Sequence, residues 1–296
     1  MSYSNKTALD IIANRKKELA IKEEANKPSH LAPIKYPQTD FFIADIFDTV
    51  TYRSDLASME YPLFALKAGD TRSHVYEHDG LIISIDPNRY GVATMHDKDI
   101  WIYCISKICQ AMYEGEEIHR KVRFTIYDYL KTTNRHISGS DYERTKEALE
   151  RLKGTSIKVE SENKKERIAR SFSLISDWYI VEEKDGRMIR VEVEIPQWLF
   201  DSVANKQVLS ISPDYFRLRR PLDRRIYELA RKHCGYQSSW KIGLDLLHRK
   251  SGSTGDLRKF RLNIKSLAES DELPDYVLRF DHEKDMVIFK KRSKNK

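Results

Sequence analysis

At 296 residues, with 40% apolar and 33% charged side chains, the chain is long enough for about two domains with true cores. Its apolar runs, such as Ile100–Ile105, fall far short of the ~20 residues a membrane span needs, and its N-terminus has no basic-then-apolar secretory pattern. The net charge of +7 is concentrated: from Ser212 onward 21 Lys/Arg face 12 Asp/Glu, leaving 31 against 33 for the rest. Such asymmetry is the footprint of a polyanion partner, nucleic acid first, although a basic solvated surface gives the same isoelectric point.

In chain order, residues 1–35 are charged and read as an arm, ended by Pro28, Pro33 and Pro37. His74–Glu77 and Leu81–Ile85 flank an Asp79-Gly80 turn, a hairpin signal. Asp97–Glu114 repeats Ile100, Cys104, Ile108 and Met112 at helical spacing and stops at Gly115. A brief strand at Val122–Phe124 and a short helix, Ile126–Thr133, follow. Ser140 and Glu143 have capping-box spacing at the head of a helix closed by Gly154. Ile157–Glu160 and Phe172–Val181 read as strands around a charged loop, Asn163–Arg170, with Arg187–Glu194 pairing next through a Lys184-Asp185-Gly186 turn. Gln197–Ala204 is a short helix.

After a connection at Val208–Pro221, the order recurs. Leu222–Cys234 is a helix with Leu222, Ile226, Leu229 and His233 on one face and Arg224 and Arg225 elsewhere. Trp240–Ile242 is a strand, Leu244–Lys250 a helix, and a third helix presents Leu257, Phe260, Ile264 and Leu267 to the core. Tyr276–Phe280 and Met286–Lys290 form the closing hairpin. Ser-Gly-Ser stands before the third helix in both halves, at Ser138 and Ser251, about 113 residues apart. Helix, short helix, turn, helix and hairpin, twice over, predict an α+β fold of tandem winged helix-turn-helix domains, residues 36–207 and 208–296.

The third helices differ in charge. Asp141–Lys153 has four basic and four acidic residues, whereas Asp256–Ala268 has four basic and one acidic. Arg258, Arg261 and Lys265 are expected opposite the core, on the side a recognition helix turns into the major groove, with Lys259 and Asn263 beside them. Ser251, Ser253 and Thr254 suit phosphate contacts at the entrance. Lys290, Lys291 and Arg292, with Lys294 and Lys296, form a tail expected along the backbone or in the minor groove. Lys121, Arg123, Arg144, Lys146 and Arg151 are secondary candidates, equally compatible with DNA contact and with dimerisation.

Catalysis has little support. The nine histidines contain no His-x-His pair, there is no Gly-x4-Gly-Lys-Ser/Thr loop, and the acidic run Glu182, Glu183, Asp185 reads as solvated. No enzyme, metal or cofactor is expected. Cys104, Cys109 and Cys234 lack ligand spacing and read as reduced core residues of a cytoplasmic protein.

Several stretches resemble one family: Tyr36–Phe42, Asp45–Asp48, His96-Asp97-Lys98-Asp99-Ile100, Ala148–Thr155, Asp214–Leu222 and Tyr227–Gly235. They are similar to the plasmid replication initiator protein A group, related to iteron-binding initiators with two winged-helix domains. The resemblance implies a bacterial cytoplasmic protein that binds repeated double-stranded origin sequences as a monomer, helps to open an A/T-rich segment and assembles host initiation and helicase-loading proteins. It also implies dimers, formed largely through the first domain, that repress the gene or limit copy number. A winged-helix transcriptional repressor without a replication role needs the same DNA-reading surfaces.

Overall fold

A computed structural model describes residues 29–36, 41–44, 62–78, 81–162, 167–182, 188–235 and 237–293. Residues 1–28 of the expected arm, the Asp79-Gly80 and Lys184-Asp185-Gly186 turns, the loop at 163–166, and Lys294 and Lys296 lie outside them. The elements of the first half are β1 (Phe41–Ala44), β2 (His74–His78), β3 (Leu81–Asp86), α1 (Lys98–Glu114), β4 (Lys121–Phe124), α2 (Ile126–Thr132), α3 (Gly139–Gly154), β5 (Ser156–Glu162), β6 (Arg167–Ser173), β7 (Asp177–Glu182), β8 (Met188–Glu194) and α4 (Gln197–Ala204). The second half continues with β9 (Val208–Ile211), a 3-10 turn (Pro213–Arg217), α5 (Pro221–Cys234), β10 (Ser239–Gly243), α6 (Leu244–Ser251), α7 (Leu257–Ser270), β11 (Tyr276–Asp281) and β12 (Met286–Lys291).

The order helix, strand, helix, helix, hairpin therefore occurs twice, as α1–β4–α2–α3–β5–β6 and as α5–β10–α6–α7–β11–β12. In the second half the sheet order is β10-β12-β11, antiparallel throughout, so the strand before the helical pair lies beside the returning strand of the hairpin. Period-2 alternation sends Ile242, Val287, Phe289, Tyr276 and Leu278 into the core. The first half departs from this plan. Phe172–Val181 is not one strand: β6 stays with β2, β3 and β5, while β7 joins β4 and β8 in another sheet. Between them Leu174 and Ile175 are both fully buried, which breaks the alternation and passes the chain from one sheet to the other. The indole of Trp101 fixes that crossing by donating to the Leu174 carbonyl at 2.7 Å.

The two Ser-Gly-Ser copies also differ in position. Gly139 is the first residue of α3, whose cap is Ser138, and Ser140 lies inside the helix, so the expected capping box does not form. In the second copy Ser251 is the last residue of α6 and Gly252 its left-handed cap, with φ 72°. α7 starts later, where the Asp256 carboxylate accepts from the Arg258 N–H at 2.6 Å. What repeats is the succession of elements, not the register of the tripeptide.

One core spans Leu63 to Val203 and a second gathers Ile211 to Phe289 with Phe41 and Ile102. Thus α1 serves both. Beside Ile102 the fully buried Asp99 accepts from Arg224 Nη1 at 2.5 Å and Arg135 Nη2 at 2.8 Å. Lys98 Nζ donates to Glu228 at 2.7 Å, and Glu228 also accepts from the Tyr215 hydroxyl at 2.8 Å. Arg224 and Arg225, read as lying off the apolar face of α5, are buried, and Arg224 reaches Asp99 of the first half. The family-like stretches His96–Ile100 and Tyr227–Gly235 supply much of this contact.

Residues 29–35, expected as the end of an arm, form a strap across both halves. His30 is 3% exposed, with Nδ1 2.7 Å from Asp223 and Nε2 3.3 Å from the Ser266 hydroxyl on α7. Leu31 bridges Leu218, and Ala32 exchanges hydrogen bonds with Arg217. At the other end the Lys35 N–H donates to Asn134 Oδ1 at 2.7 Å and Asn134 Nδ2 donates to the Pro33 carbonyl at 3.0 Å.

His96, at the head of α1, has its pKa pushed down to about 4 from the ordinary 6.5, first by burial and then by Arg224 and Arg135, against the opposing pull of Asp99 and Asp97. The fold holds a neutral ring where the unfolded chain binds a proton, so stability present above pH 6.5 is lost as pH falls toward 4. Chemical denaturation across that window should show the loss, and His96→Gln should flatten it. An unchanged slope in the variant would contradict the assignment.

Candidate nucleic-acid interface

α7 buries Phe260, Ile264 and Leu267 and turns Arg258, Lys259, Leu262 and Glu269 to solvent. Arg258 and Lys259 make no ion pair among the described residues. Arg261 and Lys265, expected as free groove readers, sit instead on the flank facing the β11–β12 hairpin. Arg261 pairs with Asp285 in the hairpin turn (Nη2 2.8 Å, Nε 3.2 Å), and Lys265 Nζ lies 5.4 Å over the Phe280 ring. Asn263 is half-buried on the other flank. Leu262, 61% exposed near the centre of the outward face, was not singled out in the sequence. Its signal was an apolar residue off the core stripe, the kind of group that packs on a thymine methyl.

The entrance to α7 is less open than expected. Ser251 is fully buried, donating to the His248 carbonyl at 2.7 Å and accepting from the Ser253 N–H at 3.2 Å, so it closes α6 and has no hydroxyl to offer a phosphate. Gly252 packs against the first half, where a Cβ would lie 2.5 Å from the Pro62 side chain. Ser253 is half-buried, and Thr254 is exposed.

The basic tail is also placed differently. Lys290 and Lys291 belong to β12, remote from the hairpin turn, and Arg292 is held by Asp271 at 2.7 Å. Lys290 is exposed on the outer sheet face with Lys241 and Arg279, which flank Ile288 in register. Lys241 and Arg279 were missed in the sequence, although alternation along β10 and β11 would have turned them outward.

The first-half candidates are neutralised in place. Lys121 and Arg123 face Glu192, Lys146 meets Glu182 at 2.7 Å, and Arg144 meets Asp141 at 3.3 Å. Arg151 grips the Asp97 carboxylate at both oxygens, 2.8 and 2.9 Å, and is withdrawn from the surface as a structural link. No cluster of metal-binding side chains, and no helix long and apolar enough to cross a membrane, occurs among the described residues. Cys104, Cys109 and Cys234 are buried thiols.

These two linked units share their fold with two crystal structures of RctB domains 2 and 3. Both match with 13% identity over 79% of this chain and about 95% of theirs, at TM-scores of 0.54 and 0.55. A family model described as "Replication initiator protein A" matches residues 53–278. A relative from Wigglesworthia glossinidia brevipalpis, named "Putative replication protein", is 45% identical over 259 residues, covering 86% of this chain and 94% of that one. The chain belongs to the replication initiator protein A family, and its role is in the initiation of replication.

The two Ser-Gly-Ser glycines should respond oppositely to alanine. Gly252→Ala meets both a left-handed backbone and the Pro62 side chain, so thermal unfolding should show a loss exceeding the ~1 kcal/mol of the backbone term alone. Gly139→Ala opens onto free space within a helix and should leave stability unchanged or slightly raised. Equal effects would show that the Gly252 turn does not bear on the first half.

Proposed function

We propose that this chain is a plasmid replication initiator that reads repeated duplex sequences at its origin through two winged-helix units. α7 is the principal recognition helix, the β11–β12 hairpin its wing, and α3 the corresponding helix of the first unit. The observation that carries the reading is the contrast in free charge. Arg258 and Lys259 project unpaired from α7, and Arg279, Lys241 and Lys290 project from the adjoining sheet, whereas Arg123, Lys146 and Arg151, the corresponding candidates of the first half, are bound to carboxylates. Guanidinium groups at the outward face of a helix make bidentate contacts with guanine, and the lysines add phosphate contacts without base preference.

In this reading the first unit, whose candidate cations are paired, divides its work between auxiliary DNA contact and self-association. The protein acts by binding and by recruiting host initiation and helicase-loading proteins, with no strand cleavage of its own. Membership of a replication initiator family supports the DNA partner and the replication role. Footprinting on the parent plasmid's origin tests it. Arg258→Ala should weaken specific binding by about 1–3 kcal/mol and relax the base preference at its contact, while Arg123→Ala should leave the footprint intact. An unaltered footprint for Arg258→Ala would reject α7 as the reader.

A further inference from the structure

α7 lies between two ridges. On one side stands the β11–β12 hairpin, tied to it through Arg261 and Asp285. On the other runs the strap: His30 meets Ser266, and Ser29 Oγ and the His30 N–H both bond the Glu272 carboxylate just beyond the helix, at 2.7 and 2.5 Å. Ser266 and Lys259 are seven residues apart and share a face, so the exposed Lys259 stands on the strap side. The strap is held at His30 by Asp223 and at Ala32 by Arg217, which gives it a fixed course.

Two arginines continue this ridge. Of the five in the run Arg217–Arg225, Arg217 bonds Asp214 and Ala32, and Arg224 and Arg225 are buried. Arg219 and Arg220 alone in that run are exposed, and neither makes an ion pair among the described residues. The Arg219 N–H donates to the His30 carbonyl at 3.1 Å, which seats the pair against the strap. Exposed guanidinium groups on a pre-ordered backbone suit phosphate oxygens, which they bind bidentately at little further ordering cost.

We propose that Arg219 and Arg220, set by the strap, form a second flank that grips the DNA backbone on the side of α7 opposite the hairpin. The proposal rests on α7 being the groove helix and adds a phosphate-binding surface to it. The full-length chain would be titrated onto the parent plasmid's origin fragment and onto an unrelated duplex of equal length, at stepped salt. Arg219→Ala/Arg220→Ala should lose affinity for both duplexes by a similar factor, keep its preference for the origin, and flatten the slope of log K against log salt by about two. Ethylation interference should disappear at phosphates on one border of the site.

Arg219→Lys/Arg220→Lys should restore the slope, because the positive charge returns. A loss that lysine does not restore marks a structural role and overturns the proposal. An unchanged slope in the alanine variant, while Arg258→Ala still loses origin preference, overturns the second flank and leaves α7 as the reader. No change in either variant removes α7 as the reader and the flank with it.

Discussion

A carboxylate with no exposure to water, Asp99, is held between Arg135 of its own half and Arg224 of the other. Burying such charges costs several kcal/mol for each ion and is tolerated only where geometry and hydrogen bonding are complete. Here they are, since Arg224 also donates to the Leu218 carbonyl, and Lys98, Glu228 and Tyr215 close a second set of bonds beside it. An arrangement of this kind has little latitude. The first turn of α5 must lie against the first turn of α1, which places Ile102 in the second core and the α6–α7 turn on Pro62. The strap, fastened through Asp223 beside Arg224 and through Asn134, follows from the same seating.

The charge distribution then acquires a meaning that net charge alone lacks. The candidate cations of the first half are engaged by carboxylates, as in Arg151 with Asp97 and Arg123 with Glu192. In the second half the fold uses arginine in the same structural way at positions 217, 224, 225, 261 and 292, and leaves a different set outward: Arg219, Arg220, Lys241, Arg258, Lys259, Arg279 and Lys290. Ion pairs at the surface contribute little to stability, but they settle which guanidinium groups are available to another polyanion. Of that set Arg258 and Lys259 stand on α7, Arg219 and Arg220 beside the strap, and Lys241, Arg279 and Lys290 on the outer face of the β10-β12-β11 sheet.

What could be read in advance was what short-range periodicity encodes. Ile100, Cys104 and Ile108, or Phe260, Ile264 and Leu267, announce a buried stripe from their spacing, and the doubled succession of elements followed from them. Interactions between distant parts of the chain were not legible. An arginine on a helix reads as solvated until its partner is known, and the partner of Arg224 stands 125 residues away. Ser251 reads as a turn hydroxyl, yet it is buried because the turn is covered by residues near Pro62. Strand partners in the first half failed for the same reason, since β6 and β7 are chosen by β5 and β8 and not by their own sequence.

The central claim is that the Asp99–Arg224 contact fixes the relative orientation of the two units. Pulsed electron resonance on spin labels at Glu143 of α3 and Glu269 of α7, both exposed, measures it directly, with the three buried cysteines left in place. The unaltered chain should give a single narrow distance distribution, and Arg224→Met, which leaves Asp99 its partner Arg135, should broaden it. A broad distribution in the unaltered chain, or a narrow and unshifted one in Arg224→Met, would contradict the claim.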